Sequence, residues 1–367
     1  RDPLWSRGLG DVYKRQAGNN KPLYDFLWAY NGDQMAHELN MESKHSIEKQ
    51  TAHYVDCFTT VSDITAKECA ELLDKPADVV LPNGFEDSFV PKGGSFTKHR
   101  SAARKCLLTV ANALLGSQLS DDTLIVSTSG RYEFRNKGID VFIDAMHRLN
   151  DDPILQKNVV AFIEVPAWVG SPRQDLINRL QSGQHFDTPL EQPYLTHWLN
   201  NMNEDNILNK FRSLHLTNNY NNKVNIIFVP CYLTGTDGIF NMAYYDLVIG
   251  NDLCVYPSYY EPWGYTPLEA VAFKVPCITT DLAGFGLWAN KEKGSYSTIE
   301  DGVQVVHRTD YNNDEVADAI KYTITQYAAM DSKQVNKCRT SAHKLSKKAL
   351  WSKFIKHYNI ACLLYTS

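Results

Sequence analysis

The sequence has no cysteine pair at metal-binding or redox spacing, no long apolar run and no excess of positive charge. Its eight cysteines are scattered along 367 residues without a CxxC pair, which indicates reduced thiols rather than a disulfide framework or a zinc site. A formal net charge of −5 argues against a nucleic-acid partner, because such a partner needs a basic surface. No apolar stretch approaches the length of a membrane span. We therefore expect a cytoplasmic protein that binds neither nucleic acid nor membrane.

Histidines give no clear metal site either. His37, His45 and His53 are spaced eight residues apart, which would place them loosely on one face of a helix. No cluster of Asp, Glu and His completes a ligand set around them. We expect histidines that are hydrogen-bonded or face solvent, and no metal.

The most informative stretch that is present reads YPSYYEPWGYTPLE, at residues 256–269. It follows the apolar run at residues 253–256, which predicts a short buried strand. Thr266 then occupies the position of a helix N-cap, Pro267 the first helical position and Glu269 the third, which is the pattern of a capping box. The order predicted is therefore strand, loop and helix N-terminus.

A helix that begins after a strand and a loop is a natural anion site. Its first backbone N–H groups have no partner within the helix, and its dipole is positive at that end. The N–H groups of Gly264, Tyr265 and Thr266 are the candidate phosphate cradle. Two carboxylates eight residues apart, Glu261 and Glu269, flank it. In open α/β sheets, ligands bind at the carboxyl ends of the strands, so the pattern indicates nucleotide-sugar chemistry.

Short apolar runs along the chain predict strands that alternate with helices, which is typical of an α/β fold with a doubly wound parallel sheet. The predicted strands are residues 57–62, 79–81, 123–127, 159–165, 224–229, 253–256 and 277–280. The predicted helices are residues 41–53, 63–73, 107–114 and, as terminal helices, 312–358. A polar, basic segment at residues 92–105 precedes the third helix.

Five segments, in the same order along the chain, resemble glycogen synthases of the animal, fungal and Bacteroides-like type. They are FTTVS at 58–62, PNG at 82–84, GRYEFRNKG at 130–138, YYEPWGYTP at 259–267 and LAGFG at 282–286. The spacing of the two glutamates is a weak signal by itself, whereas YYEPWGYTP is specific. The resemblance extends over residues 17–360. It implies two facing Rossmann-like domains of the GT-B type.

The resemblance also implies an activity. Glucose would pass from UDP-glucose to the non-reducing end of an α-1,4-glucan such as glycogen, with retention and without a metal or other cofactor. Arg131 and Lys137 would bind the donor diphosphate, Glu261 would lie beside the donor sugar, Glu269 beside the ribose, and Tyr244 would stack on uracil.

Each of these assignments has a plainer alternative. Arg131 and Lys137 have the usual character of solvated surface cations. Glu261 has the plainer alternative of an acid in a surface loop. Glu269 is fully explained as a helix cap, and Tyr244 lies among apolar residues that favour a packed core aromatic. Two other functions also stay open: a retaining glycosyltransferase with another acceptor, such as sucrose or a lipid sugar, and a non-catalytic protein that binds nucleotide sugars or glucans.

The same pattern divides the chain into segments. We interpret them as non-native tails at 1–16 and 362–367, an acceptor-side domain remnant and hinge at 17–115, a nucleotide-sugar-binding domain at 116–310 with a helical insertion at about 172–220, and C-terminal helices at 311–361. The Gly-rich loop of the family's first domain does not occur ahead of Asn83. We therefore expect a fragment that binds UDP weakly and transfers no glucose. In the family the insertion mediates oligomer contacts, so a homo-oligomer is possible.

The basic C-terminal helices contain one further family position. In regulated members, a run of arginines on a matching helix binds glucose 6-phosphate. Here the run is thinned to Arg339 with scattered lysines. Because lysine cannot reproduce the bidentate grip of arginine on phosphate, we expect a solvated basic face.

Overall fold

The computed structural model describes residues 22–366, so the tail expected at residues 1–16 lies outside the described residues. The helices are α1 (Gly32–Glu38), α2 (Glu42–Tyr54), α3 (Asp63–Leu72), α4 (Gly93–Leu115), α5 (Ile139–Asn150), α6 (Gln174–Ser182), α7 (Asn206–Ser213), α8 (Tyr244–Val248), α9 (Tyr265–Ala272), α10 (Gly284–Lys293), α11 (Asn313–Ala329), α12 (Ser332–Lys348) and α13 (Trp351–Thr366). The strands are β1 (Thr59–Thr60), β2 (Val79–Val80), β3 (Leu124–Ser129), β4 (Val159–Glu164), β5 (Val169–Pro172), β6 (His197–Leu199), β7 (Val224–Val229), β8 (Leu253–Val255), β9 (Cys277–Thr280) and β10 (Val303–Val306).

Six parallel strands form the central sheet in the order β10-β9-β8-β3-β4-β7. The chain builds outward from β3 to β4 and β7, then returns to lay β8 against the other side of β3. Strand order therefore reverses between β3 and β8, which is the topological switch point of a Rossmann-type sheet. The α/β class predicted from the sequence is confirmed. The segment before β3 contributes a separate two-stranded parallel sheet, β1 with β2.

The sheet is covered by helices on both faces. On one face, Val159, Ala161 and Ile163 belong to a core shared with α5 and α11. On the other face, Val160 and Phe162 pack against α4. All six residues in each of β3, β4 and β7 are buried. Burial on both faces explains why β4 and β7 are nearly continuous apolar runs rather than alternating ones.

Helix α4 and strand β10 differ from the sequence-based expectation, in segments that lack a clear apolar periodicity. Helix α4 begins at Gly93 and includes residues 93–105 of the polar segment, which was expected to precede it. Its arginines have a tertiary partner: Arg100 and Arg104 each donate to the Asp252 carboxylate at 2.6 Å. Strand β10 was missed because the polar Gln304 interrupts its short apolar sequence, VQVV.

The insertion at about 172–220 is less helical than expected. It contains the short helices α6 and α7, strand β6, which pairs with β5 in an antiparallel ladder, and irregular segments. Arg173 organises it from within: its fully buried guanidinium donates to the Asp175 carboxylate and to three backbone carbonyls. The polar, Asn-rich sequence of the insertion has no hydrophobic periodicity from which a buried arginine could be predicted.

The C-terminal end also departs from expectation. Helix α13 continues to Thr366, so the helical pattern does not end before residue 362. Among residues 22–366, no helix combines the length and the apolar character that crossing a bilayer requires.

The segment before β1 is tied to the loop that follows β8. The Tyr24 hydroxyl donates to Glu68 on α3 at 2.6 Å, and its ring stacks on Tyr260 at 6.2 Å between centroids. Tyr260 also hydrogen-bonds Glu68, and the Tyr259 hydroxyl donates to Asp310. Burial outweighs these hydrogen bonds and raises the pKa of Glu68 to about 8.

One prediction concerns the close approach of two loops at the switch point. Gly138 has a φ of +66°, and a Cβ there would lie 2.0 Å from the carbonyl oxygen of Pro257. Gly294 has a φ of +78° with nothing within 4 Å of an added Cβ. Gly294→Ala should therefore cost only the left-handed backbone penalty, about 1–2 kcal/mol. Gly138→Ala should cost about 1–3 kcal/mol more, because the loops must separate. Equal losses in urea denaturation would show that the loops do not constrain each other.

A second prediction concerns pH. The pKa of Glu68 is raised from 4.5 to about 8 in the folded protein, so the stabilisation from its protonated form is complete below about pH 4.5 and is lost as the pH rises through about 8. Replacing this glutamate, Glu68→Gln, keeps an acceptor for Tyr24 and should flatten the decline of the unfolding free energy between these values. Glu71→Gln, on the exposed side of the same helix, is the control and should leave the slope unchanged. Urea titrations at several pH values measure both, and identical slopes for Glu68→Gln and wild type would contradict the assignment.

Candidate functional site

The switch point brings together two loops that the sequence separates by more than a hundred residues. Residues 130–138 follow β3 and residues 256–264 follow β8, and the two loops touch where Gly138 meets Pro257. The N–H of Tyr259 donates to the carbonyl of Asn136 at 2.9 Å. Residues expected to act on one ligand are thereby placed at the carboxyl edge of adjacent strands.

An ion pair spans the two loops. Lys137 donates from its ammonium group to the Glu261 carboxylate, and each side chain is 16% exposed. The backbone of Glu261 is held on both sides: its N–H donates to Leu282 at 3.3 Å and its carbonyl accepts from Gly284 at 3.0 Å. The carboxylate therefore has a defined position, with a cation against it in a partly desolvated setting.

Arg131 stands apart from that pair. Its guanidinium lies 3.2 Å from a carboxylate oxygen of Glu133, and its side chain is 58% exposed. It occupies the same loop as Lys137 but faces solvent. A donor-binding role and a solvated surface cation both fit this position.

The helix after β8 begins earlier than predicted. Gly264 is the N-cap with a φ of +107°, Tyr265 is the first helical residue, and no side chain caps the helix. Thr266 and Pro267 therefore lie within the first turn, and the capping box expected at Thr266 is wrong. The physical reason is the left-handed backbone that glycine permits, which turns the chain into the helix two residues before the hydroxyl. The N–H groups of residues 264–266 remain at the start of the helix, where partners within it are absent by geometry.

Glu269 is accordingly not a cap. It lies in the interior of α9, where its carboxylate accepts a hydrogen bond from the Tyr245 hydroxyl at 2.8 Å. Burial raises its pKa, against the opposing effect of that hydrogen bond. Tyr245 is held in turn by parallel stacking on Phe273, with centroids 5.5 Å apart. Because Glu269 does not cap the helix, its carboxylate can also accept a hydrogen bond from a ligand on the α8 side of the site.

Tyr244 lies at the carboxyl end of β3. Its hydroxyl is 2.9 Å from the Ser129 hydroxyl, and its partly buried ring packs against the core beneath β8 and α9. Its position therefore combines the two alternatives drawn from the sequence, a packed ring and a ring beside the ligand edge.

One polar residue at this edge was missed from the sequence. Glu164 ends β4 beside Ser129, is 5% exposed, and has a buried Oε2 without a hydrogen-bond partner among the described residues. Burial raises its pKa to about 8. The available signal was a single acid within the otherwise apolar run VVAFIEV.

The histidines expected to be hydrogen-bonded each have a partner. His37 lies 2.6 Å from Glu42, His45 lies 2.8 Å from Asp33, and His53 lies 2.9 Å from the Leu73 carbonyl. These partners are separate, and the three imidazoles do not converge.

A different trio does converge. Ligand atoms of His197, Cys231 and Asp237 lie within 4.8 Å of one another. Both imidazole nitrogens of His197 are engaged, by Thr196 and by the Asp237 carbonyl, each at 2.9 Å. The Asp237 carboxylate accepts three backbone N–H groups, and burial raises the pKa of Cys231 to about 12. Such groups are occupied in holding a loop and do not resemble a metal site.

The basic residues of the C-terminal helices differ in their surroundings: several lysines form surface ion pairs, whereas one arginine is buried. The ion pairs join Lys337 with Glu300, Lys347 with Asp87, and Lys348 with Glu292. Arg339 is the exception to the solvated face that was expected. It is 9% exposed, its terminal nitrogens have no partner among the described residues, and burial lowers its pKa to about 10.

Comparison with solved structures agrees with this architecture. The crystal structure of Anabaena HepE in complex with UDP-glucose matches with a TM-score of 0.50 at 15% identity, covering 92% of this chain and 71% of that chain. Its complex with UDP and glucose matches with a TM-score of 0.50 at 14% identity and the same coverage. Likeness at this identity shows the fold.

Sequence comparison is more specific. The glycogen [starch] synthase of Neurospora crassa is 30% identical over 92% of this chain and 55% of its own length. Isoform 1 from Saccharomyces cerevisiae is 27% identical over 93% and 57%, and the human liver protein is 26% identical over 93% and 56%. The chain thus spans about half the length of the curated relatives it matches. A family model described as glycogen synthase matches residues 13–181 and 176–365, and the chain belongs to that family.

Proposed function

We propose that the protein containing this chain transfers glucose from UDP-glucose to the non-reducing end of an α-1,4-glucan such as glycogen, with retention. The observation that carries the proposal is the Lys137–Glu261 ion pair at the switch point of the sheet. It supports a reaction in which an anionic leaving group departs beside a carboxylate. Membership of the glycogen synthase family supports the choice of donor and acceptor.

The proposed donor lies along the carboxyl edge of the sheet. Its diphosphate faces the start of α9, at Gly264, Tyr265 and Thr266, where the positive end of the helix dipole favours an anion. Lys137 and Arg131 add cationic groups. Charge that is preorganised where new charge develops in the reaction often lowers the barrier more than any other effect.

The nucleoside end would extend past β3. Glu269 would accept hydrogen bonds from ribose hydroxyls, and Tyr244 would offer its ring to uracil. Neither group is used as a helix cap or as the centre of a core. This arrangement leaves the glucosyl group beside Glu261.

The bond between the anomeric carbon and the β-phosphate oxygen breaks, and its electron pair leaves with UDP. The acceptor hydroxyl attacks from the same face, so configuration is retained, and its proton passes to the departing phosphate. Glu261 stabilises the positive charge that develops on the sugar, while Lys137 neutralises the charge that develops on UDP. These side chains supply the charge without a metal, and no metal or other cofactor is proposed.

Two further assignments belong to this proposal. A cytoplasmic location is supported by the seven cysteines between residues 57 and 338, which are free thiols, since disulfides are rare there. A homo-oligomer through the insertion at about 172–220 follows from the family resemblance alone.

Binding and transfer are tested separately. Calorimetry on this chain should detect UDP, and transfer of labelled glucose from UDP-glucose to glycogen is assayed on the longest reading frame that contains this sequence. UDP binding with transfer to sucrose or a lipid sugar instead of glycogen would replace the acceptor assignment. UDP binding without transfer to any acceptor would favour a binding protein, and absence of UDP binding would remove the proposal altogether.

A variant prediction follows for the catalytically active polypeptide. Lys137→Ala should lower kcat by about 10²–10³-fold, because loss of one group that stabilises developing charge has this effect. Arg131→Ala should act in the same direction if its guanidinium turns from Glu133 to the donor. The matched control is Arg135→Ala, an exposed cation in the same loop, which should retain near-normal kcat. Steady-state kinetics at saturating glycogen measure all three, and equal effects of Lys137→Ala and Arg135→Ala would favour surface cations.

A further inference from the structure

Tyr260, the residue directly before Glu261, is anchored outside the six-stranded sheet. Its side chain is 3% exposed, and its hydroxyl group hydrogen-bonds the Glu68 carboxyl group on α3. Glu68 is 1% exposed and also accepts a hydrogen bond from the Tyr24 hydroxyl at 2.6 Å. The segment before β3 therefore holds the loop after β8 through one buried carboxyl group that two tyrosines share.

The side chains of Tyr260 and Glu261 leave opposite sides of a short extended segment. Glu261 forms an isolated parallel bridge with Ala283, and successive side chains of an extended backbone alternate between its two faces. The contacts agree with this alternation, because Tyr260 meets Glu68 and the Tyr24 ring, whereas Glu261 meets Lys137. The position of the Tyr260 ring therefore influences the direction in which the Glu261 carboxylate points.

The backbone hydrogen bonds of Glu261 do not set this direction by themselves. Its N–H donates to Leu282 at 3.3 Å and its carbonyl accepts from Gly284 at 3.0 Å. Both partners belong to one neighbouring segment, so these bonds fix the position of Glu261 along the chain more strongly than its tilt. The hydrogen bond between Tyr260 and Glu68 is directional and acts on the opposite side. An apolar side chain at position 68 would be cheaper to desolvate, but it would set no direction.

We propose that Glu68 is a positioning residue for glucosyl transfer: through the Tyr260 hydroxyl, it aims the Glu261 carboxylate at the donor sugar. The inference rests on the proposed function, in which Glu261 stabilises the positive charge that develops on the glucosyl group. Glu68 acts through Tyr260 and is not among the groups proposed to hold UDP. Loss of its carboxyl group should therefore slow transfer and leave UDP affinity unchanged.

Substitutions at Glu68 separate the setting of a direction from the filling of space. Glu68→Met keeps the length of the side chain but accepts no tyrosine hydroxyl. Its kcat should fall by about 10–100-fold, the loss expected when a group at the reaction centre is misplaced by about 1 Å, while the KM for UDP-glucose stays near that of wild type. Glu68→Gln keeps an acceptor oxygen and should recover most of kcat. Glu71→Met, on the exposed side of α3, is the control and should keep near-normal kcat.

The two tyrosines that share Glu68 provide a matched pair. Tyr24→Phe and Tyr260→Phe each remove one hydroxyl from the same carboxyl group and keep the stacked rings, so both should lower the melting temperature by similar amounts. Because only Tyr260 adjoins Glu261, only Tyr260→Phe should lower kcat, and Tyr24→Phe should keep near-normal kcat. Combining Glu68→Met with Tyr260→Phe should be no slower than Glu68→Met alone, because both changes remove one shared contact.

The experiment uses the catalytically active polypeptide that contains this chain. It measures steady-state transfer of labelled glucose from UDP-glucose to glycogen, UDP binding by calorimetry, and thermal melting for each variant. Near-normal kcat of a folded Glu68→Met overturns the positioning role while the proposed function stands. Equal losses of kcat in Tyr24→Phe and Tyr260→Phe, or a multiplicative loss in the double variant, do the same.

If Glu68→Met does not fold, the comparison of the two tyrosine variants decides. A loss of kcat in Tyr260→Phe alone then supports the positioning role, and any other result overturns it. Wild type that binds UDP but transfers no glucose to glycogen overturns the proposed function, and this inference with it.

Discussion

The structure depends on the crossing of two loops at the β3–β8 switch point. Gly138 gives the first loop the left-handed turn and the missing side chain that let it pass against Pro257. That contact brings Lys137 within reach of Glu261. Without this close approach of the two loops, Lys137 and Glu261 would be too far apart to form an ion pair. The backbone constraint therefore comes first and the electrostatic site follows from it, because a partly buried ion pair is favourable only when its geometry is defined.

Two buried acids, Glu68 and Glu164, and the half-buried Glu269 lie near this crossing. Glu68 lies behind the β8 loop with Tyr24 and Tyr260, Glu164 ends the neighbouring strand, and Glu269 lies under Tyr245. Burial raises the pKa of all three. Glu261 is different because it has a cation against it. One carboxylate in this region is therefore held in an ion pair, whereas burial favours the neutral, hydrogen-bonding form of the other three acids.

Much of the scaffold was predictable because buried parallel strands are continuous apolar runs. β4, β7 and β9 were found within a residue of their ends, and residues in the segments 130–138 and 256–269 were expected to act on one donor. The errors share a cause. The start of α9 was misplaced because threonine and proline matched a local pattern, while the structure used the backbone freedom of Gly264. The start of α4 was missed because its arginines look like a polar segment until Asp252 meets them.

The sequence by itself determined the α/β class, the family and the residues at the strand ends, since strand burial and motif order are local properties of the chain. Only the tertiary structure decided which of those residues touch. It pairs Lys137 with Glu261 and leaves Arg131 facing solvent. It also shows that Glu269 is not a helix cap and that Oε2 of the buried Glu164 has no hydrogen-bond partner among the described residues. The physical reason is that contact and desolvation depend on groups far apart in the chain, and neither is encoded in the spacing of any single segment.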